Sequence, residues 1–158
     1  MVSRPPIPAP PYRGGCLCGA VRYRIEARPL SVNACHCEDC KKLSGATNLL
    51  MVLAARDRFV KEKGDTQVFR KTADSGRAVD IVRCAACGTR LWHEPLVGAE
   101  YVLIAAGTLD DASWAIPTMH IWTSRAEPNI SFAPDALIVE GQPPDRKGAI
   151  DAFKRIYG

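Results

Sequence analysis

Seven cysteines at positions 16, 18, 35, 37, 40, 84 and 87 restrict the fold of this 158-residue chain more than any other feature. They form two pairs, Cys16-Leu17-Cys18 and Cys84-Ala85-Ala86-Cys87, and a triplet within Cys35-His36-Cys37-Glu38-Asp39-Cys40. Sulfurs so close in sequence can face one point. Tetrahedral zinc takes four protein ligands in a structural site and three where one position stays open. The seven divide into four and three with none left over. An odd count also argues against a pure disulfide framework.

With 47% hydrophobic residues, the chain has enough for one domain with a real core. No apolar run reaches the ~18 residues of a membrane span. Residues 1–11 hold five prolines and no apolar signal segment, so a flexible Pro-rich arm is expected there, followed by a single domain over 12–158. These features point to a reducing cytoplasm, where paired cysteines are metal ligands more often than disulfides. The formal charge of +4 arises from scattered basic residues, and seven thiolates outweigh two divalent cations. Nucleic acid and membrane are therefore set aside as partners; the oligomeric state is not legible.

The rest of the chain reads as short strands. Val21, Tyr23 and Ile25 alternate with Arg22, Arg24 and Glu26, the period of a half-buried strand. Strands are also expected at 31–36, 49–53, 66–71, 77–83, 89–93, 101–106 and 118–123, with Asp74-Ser75-Gly76 as a hairpin turn. Residues 38–44 suit a helical turn. Only 149–156 read as a helix, with Ile150, Phe153 and Ile156/Tyr157 on one face. The fold class expected is mainly β: one domain of short antiparallel strands, stapled by zinc, with a short C-terminal helix.

Both cysteine pairs end in glycine, Gly19 and Gly88, where a tight turn calls for positive φ. Cys16, Cys18, Cys84 and Cys87 then make one structural zinc site closing a long loop. The competing reading, a redox dithiol, needs a βαβ context that this chain lacks. Cys35, Cys37 and Cys40 can cap one face of a second zinc, for two per chain. Its fourth position is either open, suiting another soft anion such as a substrate thiolate, or closed by Asp39, His93, His120 or Asp110. His36, between two ligands, is expected to point away from the metal in an outer hydrogen-bonding role.

The runs Gly-Gly-Cys-Leu-Cys-Gly-Ala-Val-Arg-Tyr (14–23), Cys-His-Cys-Glu-Asp-Cys-Lys-Lys-Leu-Ser-Gly (35–45) and Arg-Cys-Ala-Ala-Cys-Gly-Thr (83–89) resemble the glutathione-dependent formaldehyde-activating family, whose domain centromere protein V shares. Ala-Gly-Thr-Leu-Asp-Asp (106–111) and Met-His-Ile-Trp-Thr-Ser-Arg-Ala (119–126) resemble it too. The resemblance implies a coiled-sheet zinc fold. It also implies a structural zinc on Cys16, Cys18, Cys84 and Cys87, and a catalytic one on Cys35, Cys37 and Cys40. The implied activity joins glutathione to formaldehyde, a carbon–sulfur lyase of the S-(hydroxymethyl)glutathione synthase type running in reverse. Where many members carry alanine-proline-tryptophan, this chain has Ala126-Glu127-Pro128-Asn129.

Two functional readings follow. In the favoured one the protein is an enzyme whose partners are a small-molecule thiol and an aldehyde. His36, His93 and His120 are its candidate proton carriers, and Lys41, Lys42, Arg90 and Arg125 its candidate carboxylate contacts. In the alternative it is a zinc-binding module that carries a thiol ligand or docks a protein, with Trp92, Trp114 or Trp122 on the docking surface.

Overall fold

The computed structural model describes residues 3–158; the first two residues of the expected arm lie outside them. The chain is mainly β. A three-stranded sheet has the order β1 (Tyr12–Gly15), β2 (Arg22–Ile25), β5 (Phe59–Lys63). An eight-stranded sheet runs β11 (Leu137–Ile138), β10 (Met119–Ile121), β3 (Ser31–Cys35), β4 (Leu49–Ala55), β9 (Tyr101–Ala105), β8 (Arg90–Pro95), β7 (Ala78–Cys84), β6 (Thr66–Thr72). Two helices, α1 (Glu38–Ser44) and α2 (Lys147–Tyr157), complete the fold.

The core lies where the sheets meet. Alternation in β2 sends Tyr23 and Ile25 inward, both fully buried, and turns Arg24 out to Glu26 and Glu62. The Tyr23 ring meets Trp92 of β8 edge-on at 6.0 Å and Phe59 of β5 at 5.5 Å. Such aromatic pairs contribute about 0.5–1.5 kcal/mol beyond the area they bury. The Tyr23 hydroxyl bonds the Thr108 hydroxyl at 2.7 Å, directly over Gly14. A Cβ on Gly14 would lie 2.3 Å from that hydroxyl, so β1 can take no larger residue there without displacing the tyrosine. Trp92 and Trp114 are core residues, 3% and 1% exposed, and form no docking surface.

One expectation about the sheets needs correcting. The pairings are antiparallel except at β10, which runs parallel to both β3 and β11. Parallel neighbours need long crossovers. The long connection from β9, through a turn at Ala106–Thr108, returns β10 in the direction of β3. The Asp74-Ser75-Gly76 turn does join β6 to β7, with Gly76 at φ 79°. In α2 the buried residues are Ala149, Ala152 and Phe153, an i, i+3, i+4 stripe against β3, β10 and β11. Ile150 falls outside this stripe and faces a cleft.

The described part of the arm lies against the domain instead of projecting from it. The Arg4 side chain is 7% exposed. Its guanidinium donates to Asp135 at 2.7 and 2.9 Å and to the Ile116 and Pro117 carbonyls at 3.1 and 2.8 Å. Arg4→Ala would strand two carbonyls and a carboxylate, so a loss of about 1–3 kcal/mol is expected in urea unfolding. A loss under ~0.5 kcal/mol would mean that the arm is not anchored in solution.

Candidate metal centres and cleft

The turn after β1 and the end of β7 bring Cys16, Cys18, Cys84 and Cys87 together, with all four Sγ atoms within 4.8 Å of one another. Cys16 Sγ is 3.5 Å from Cys18 Sγ, which is 3.8 Å from Cys84 Sγ, a partner 66 residues away. Gly19 and Gly88 adopt φ of 76° and 74°, the left-handed turn, and their N–H groups bond the Cys16 and Cys84 carbonyls at 3.0 Å each. The Val21 N–H donates to Cys16 Sγ at 3.2 Å and the Cys87 N–H to Cys84 Sγ at 3.5 Å. The Thr89 hydroxyl, 3.1 Å from Cys87 Sγ, holds that thiol down at about 5. Four convergent soft sulfurs, with N–H groups aimed at two of them, fit a metal ion of the zinc type. The cluster also straddles the architecture: Cys16 follows a strand of the small sheet and Cys84 ends a strand of the large one.

The second cluster is local. Cys35 ends β3, Cys37 is the N-cap of α1, and Cys40 lies in its first turn. Their sulfurs also lie within 4.8 Å of one another. Cys37 takes extended backbone geometry and its sulfur accepts from the Cys40 N–H at 3.4 Å. Hydrogen bonds from Cys35 and Cys40 hold Cys37 well below the usual thiol range, while the contact with Cys37 pushes Cys35 up to about 12 and contacts with Cys35 and Cys37 push Cys40 up. Three thiols thus compete for negative charge, and a divalent cation relieves that competition.

Among the described residues, no histidine or carboxylate joins the triplet. Each side chain considered as a fourth donor is engaged elsewhere. Asp39 pairs with Lys71, and Asp110 with Arg22. His93 Nε2 accepts from the Arg90 guanidinium at 3.3 Å. His120 Nδ1 lies 3.0 Å from His36 Nε2, with the rings stacked at 5.3 Å and Phe132 packed on both. His36 is fully buried, and its backbone N–H donates to the Ile121 carbonyl at 3.0 Å. It therefore ties the residue after β3 to β10.

The triplet opens on a cleft of about 760 Å³ whose wall includes Met51, Lys71, His93 and Trp122. Trp122 has φ 55°, a left-handed conformation that costs a bulky side chain on the order of 1–3 kcal/mol. The Arg125 guanidinium over its ring at 4.6 Å and a bond from Nε1 to Gln142 Oε1 at 3.2 Å hold it there. Of the three histidines only His93 reaches this wall. Burial, then the charges of Arg90 and Lys71, bring His93 down to about 3. Its folded value is below its unfolded one, so it contributes stability above pH ~6.5 that is lost as pH falls toward 3. His93→Gln should flatten the acid limb of the stability curve by about 2 kcal/mol between pH 7 and 5, measured by urea titration of the metal-loaded protein. An unchanged limb would mean that His93 is not buried in its neutral form.

Of the cations considered from sequence, Lys41 pairs with Glu127 at 2.6 Å and Arg125 with Asp74 at 2.9 Å. The Glu127 partner stands in the stretch where this chain departs from the usual run. Arg90, largely buried, lies within the field of Cys40, which favours its charge against the cost of burial. Lys71, Arg77 and Arg146 also line the cleft and were not singled out from sequence. Nothing local marks them: each is an ordinary polar residue in a strand, a turn or a loop.

A mainly β domain with a four-sulfur cluster joining two sheets, and a three-sulfur cluster facing a cleft, defines a protein with two cysteine clusters able to hold metal ions. The chain belongs to the glutathione-dependent formaldehyde-activating enzyme family, whose profile matches residues 11–125. Among solved structures, a crystal structure of a Rhodobacter sphaeroides protein matches with a TM-score of 0.50 and 17% identity, covering 62% of this chain and 87% of that one. That likeness speaks to the fold alone. No curated protein matches the chain. No helix of the described residues is long and apolar enough to cross a membrane.

Proposed function

We propose that this protein is a zinc-dependent enzyme of the carbon–sulfur lyase type, joining a thiol, glutathione or a similar one, to formaldehyde or another small aldehyde. Cys16, Cys18, Cys84 and Cys87 are assigned to a structural zinc. Cys35, Cys37 and Cys40 are assigned to a second zinc at the reacting centre. The observation that carries the reading is the three-sulfur cluster facing a cleft with no fourth histidine or carboxylate donor among the described residues. Cys35, Cys37 and Cys40 would hold the ion, which would supply a Lewis acid favouring the thiolate form of an incoming thiol.

The reaction balances without redox. The S–C bond forms, the carbonyl π pair moves to oxygen, and the proton lost by sulfur ends on that oxygen. The chain's own residues supply the setting. Arg90 places positive charge beside Cys40 and offsets the excess negative charge of three thiolates. His93, neutral and on the cleft wall, is the histidine assigned to hydrogen-bond the developing alcohol, through the ring nitrogen that Arg90 leaves free. Apolar wall residues such as Met51 and Trp122 limit water at the carbonyl. A ligand role requires reduced thiols, so we assign the protein to the cytoplasm.

Thiols add to formaldehyde unaided, so the test is a rate above background. S-hydroxymethylglutathione formation should accelerate with zinc-loaded protein in proportion to its concentration. Glutathione binding with no acceleration would replace the enzyme by a thiol carrier; no glutathione binding at all would remove both.

A further inference from the structure

The hairpin turn between β6 and β7 and the approach to α2 contribute another part of the cleft wall, including Arg77 and Arg146. The acidic residues around them are largely spoken for: Asp39 by Lys71, Asp74 by Arg125, Asp151 by Lys147. Asp145 accepts from the Lys147 N–H at 2.8 Å. Among the described residues, neither arginine has a carboxylate within ion-pair distance. Arg77 donates to the Pro144 carbonyl at 3.3 Å and leaves the rest of its fork unused. Arg146 is largely buried; burial first, then the charge of Arg77, disfavour its cation, and Glu100 and Tyr101 offset this only in part. Two neighbouring guanidiniums, one mostly out of water, form an arrangement that an anion completes. A planar guanidinium fork suits a carboxylate through paired N–H donors. Arg77 lies within the segment that the family profile matches, and Arg146 lies beyond its end at residue 125.

We propose that Arg77 and Arg146 form a carboxylate subsite of the cleft, which selects thiols bearing a carboxylate apart from their sulfur. The inference rests on the thiol reading above and narrows its substrate class. Neutral thiols then fill the sulfur end alone and bind weakly.

Titration calorimetry on the zinc-loaded protein tests it with three probes: glutathione, its diethyl ester with both carboxylates blocked, and S-methylglutathione with the sulfur blocked. Glutathione should bind about tenfold or more tighter than the diester. Arg146→Gln should remove that preference by weakening glutathione and leaving the diester unchanged. Arg77→Gln should do the same, and it stands in if Arg146→Gln fails to fold. Equal affinity for glutathione and diester, or equal effects of the variants on both, overturns the subsite. S-methylglutathione separates the two readings. If methylation abolishes binding while the arginine variants change nothing, the sulfur reading stands and the subsite falls. If methylation changes nothing while the variants abolish binding, the anion subsite stands and the sulfur reading falls. Failure of all three probes to bind overturns both.

Discussion

Cys84→Ser is expected to unfold the protein. Cys84 is 1% exposed, ends β7, and meets Cys18 across 66 residues of chain. The cluster it completes joins the large sheet to the turn after β1 of the small sheet. The small sheet alone has three short strands, and such an assembly needs packing or a staple to persist. Binding at a structural zinc contributes on the order of 10 kcal/mol, comparable to the whole stability of a domain this size. Circular dichroism should show loss of the β signal, and a strong chelator should do the same to the wild type. A cooperative unfolding transition within ~1 kcal/mol of wild type would show that sheet packing, not metal, carries the fold.

Cys37→Ser should behave oppositely, staying folded but losing one metal and the rate above background. The triplet spans six positions of sequence and bridges no distant segments. Cys37 is the N-cap of α1, its sulfur accepting from the Cys40 N–H. Serine is a preferred N-cap, so its hydroxyl keeps that acceptor and the helix survives. A hydroxyl is a far poorer zinc ligand than a thiolate, and two sulfurs do not hold the ion. Native mass spectrometry should find two metals on the wild type and one on the variant, with stability lowered by less than ~1 kcal/mol. Retained formaldehyde chemistry in this one-metal variant would move the reacting centre away from the triplet.

Most strands that could be read from sequence have a buried face to announce them; β6, legible through its β-branched and aromatic residues, is largely exposed. Tyr23 and Ile25 alternate with arginines because one side of β2 meets the core. β5 could not be read in this way: Lys61, Glu62 and Lys63 are exposed, and the strand exists through its register with β2. β1 carries two glycines, one forced by the Tyr23 hydroxyl from another strand. β11 has two residues and is defined by its parallel neighbour. The C-terminal helix was legible, and its inward face only in part, through Phe153 and Tyr157. Its core contact falls on Ala149, Ala152 and Phe153, while Ile150 turns to the cleft.

The histidines mark the same boundary. Spacing alone could not separate His36, His93 and His120. The fold stacks the first and last together in a buried pair and sends His93 to the cleft wall.

What the amino-acid order by itself determined was the local sulfur geometry. Two cysteines and a glycine within four or five residues bend the backbone the same way wherever they lie, since only a few torsions are involved. Tertiary structure decided which pairs share a centre and, among the described residues, why the triplet recruits no histidine or carboxylate and which arginines face the cleft without a carboxylate partner. Those outcomes depend on contacts between residues such as Cys18 and Cys84 or Arg77 and Pro144, 66 and 67 positions apart, which no local torsion encodes.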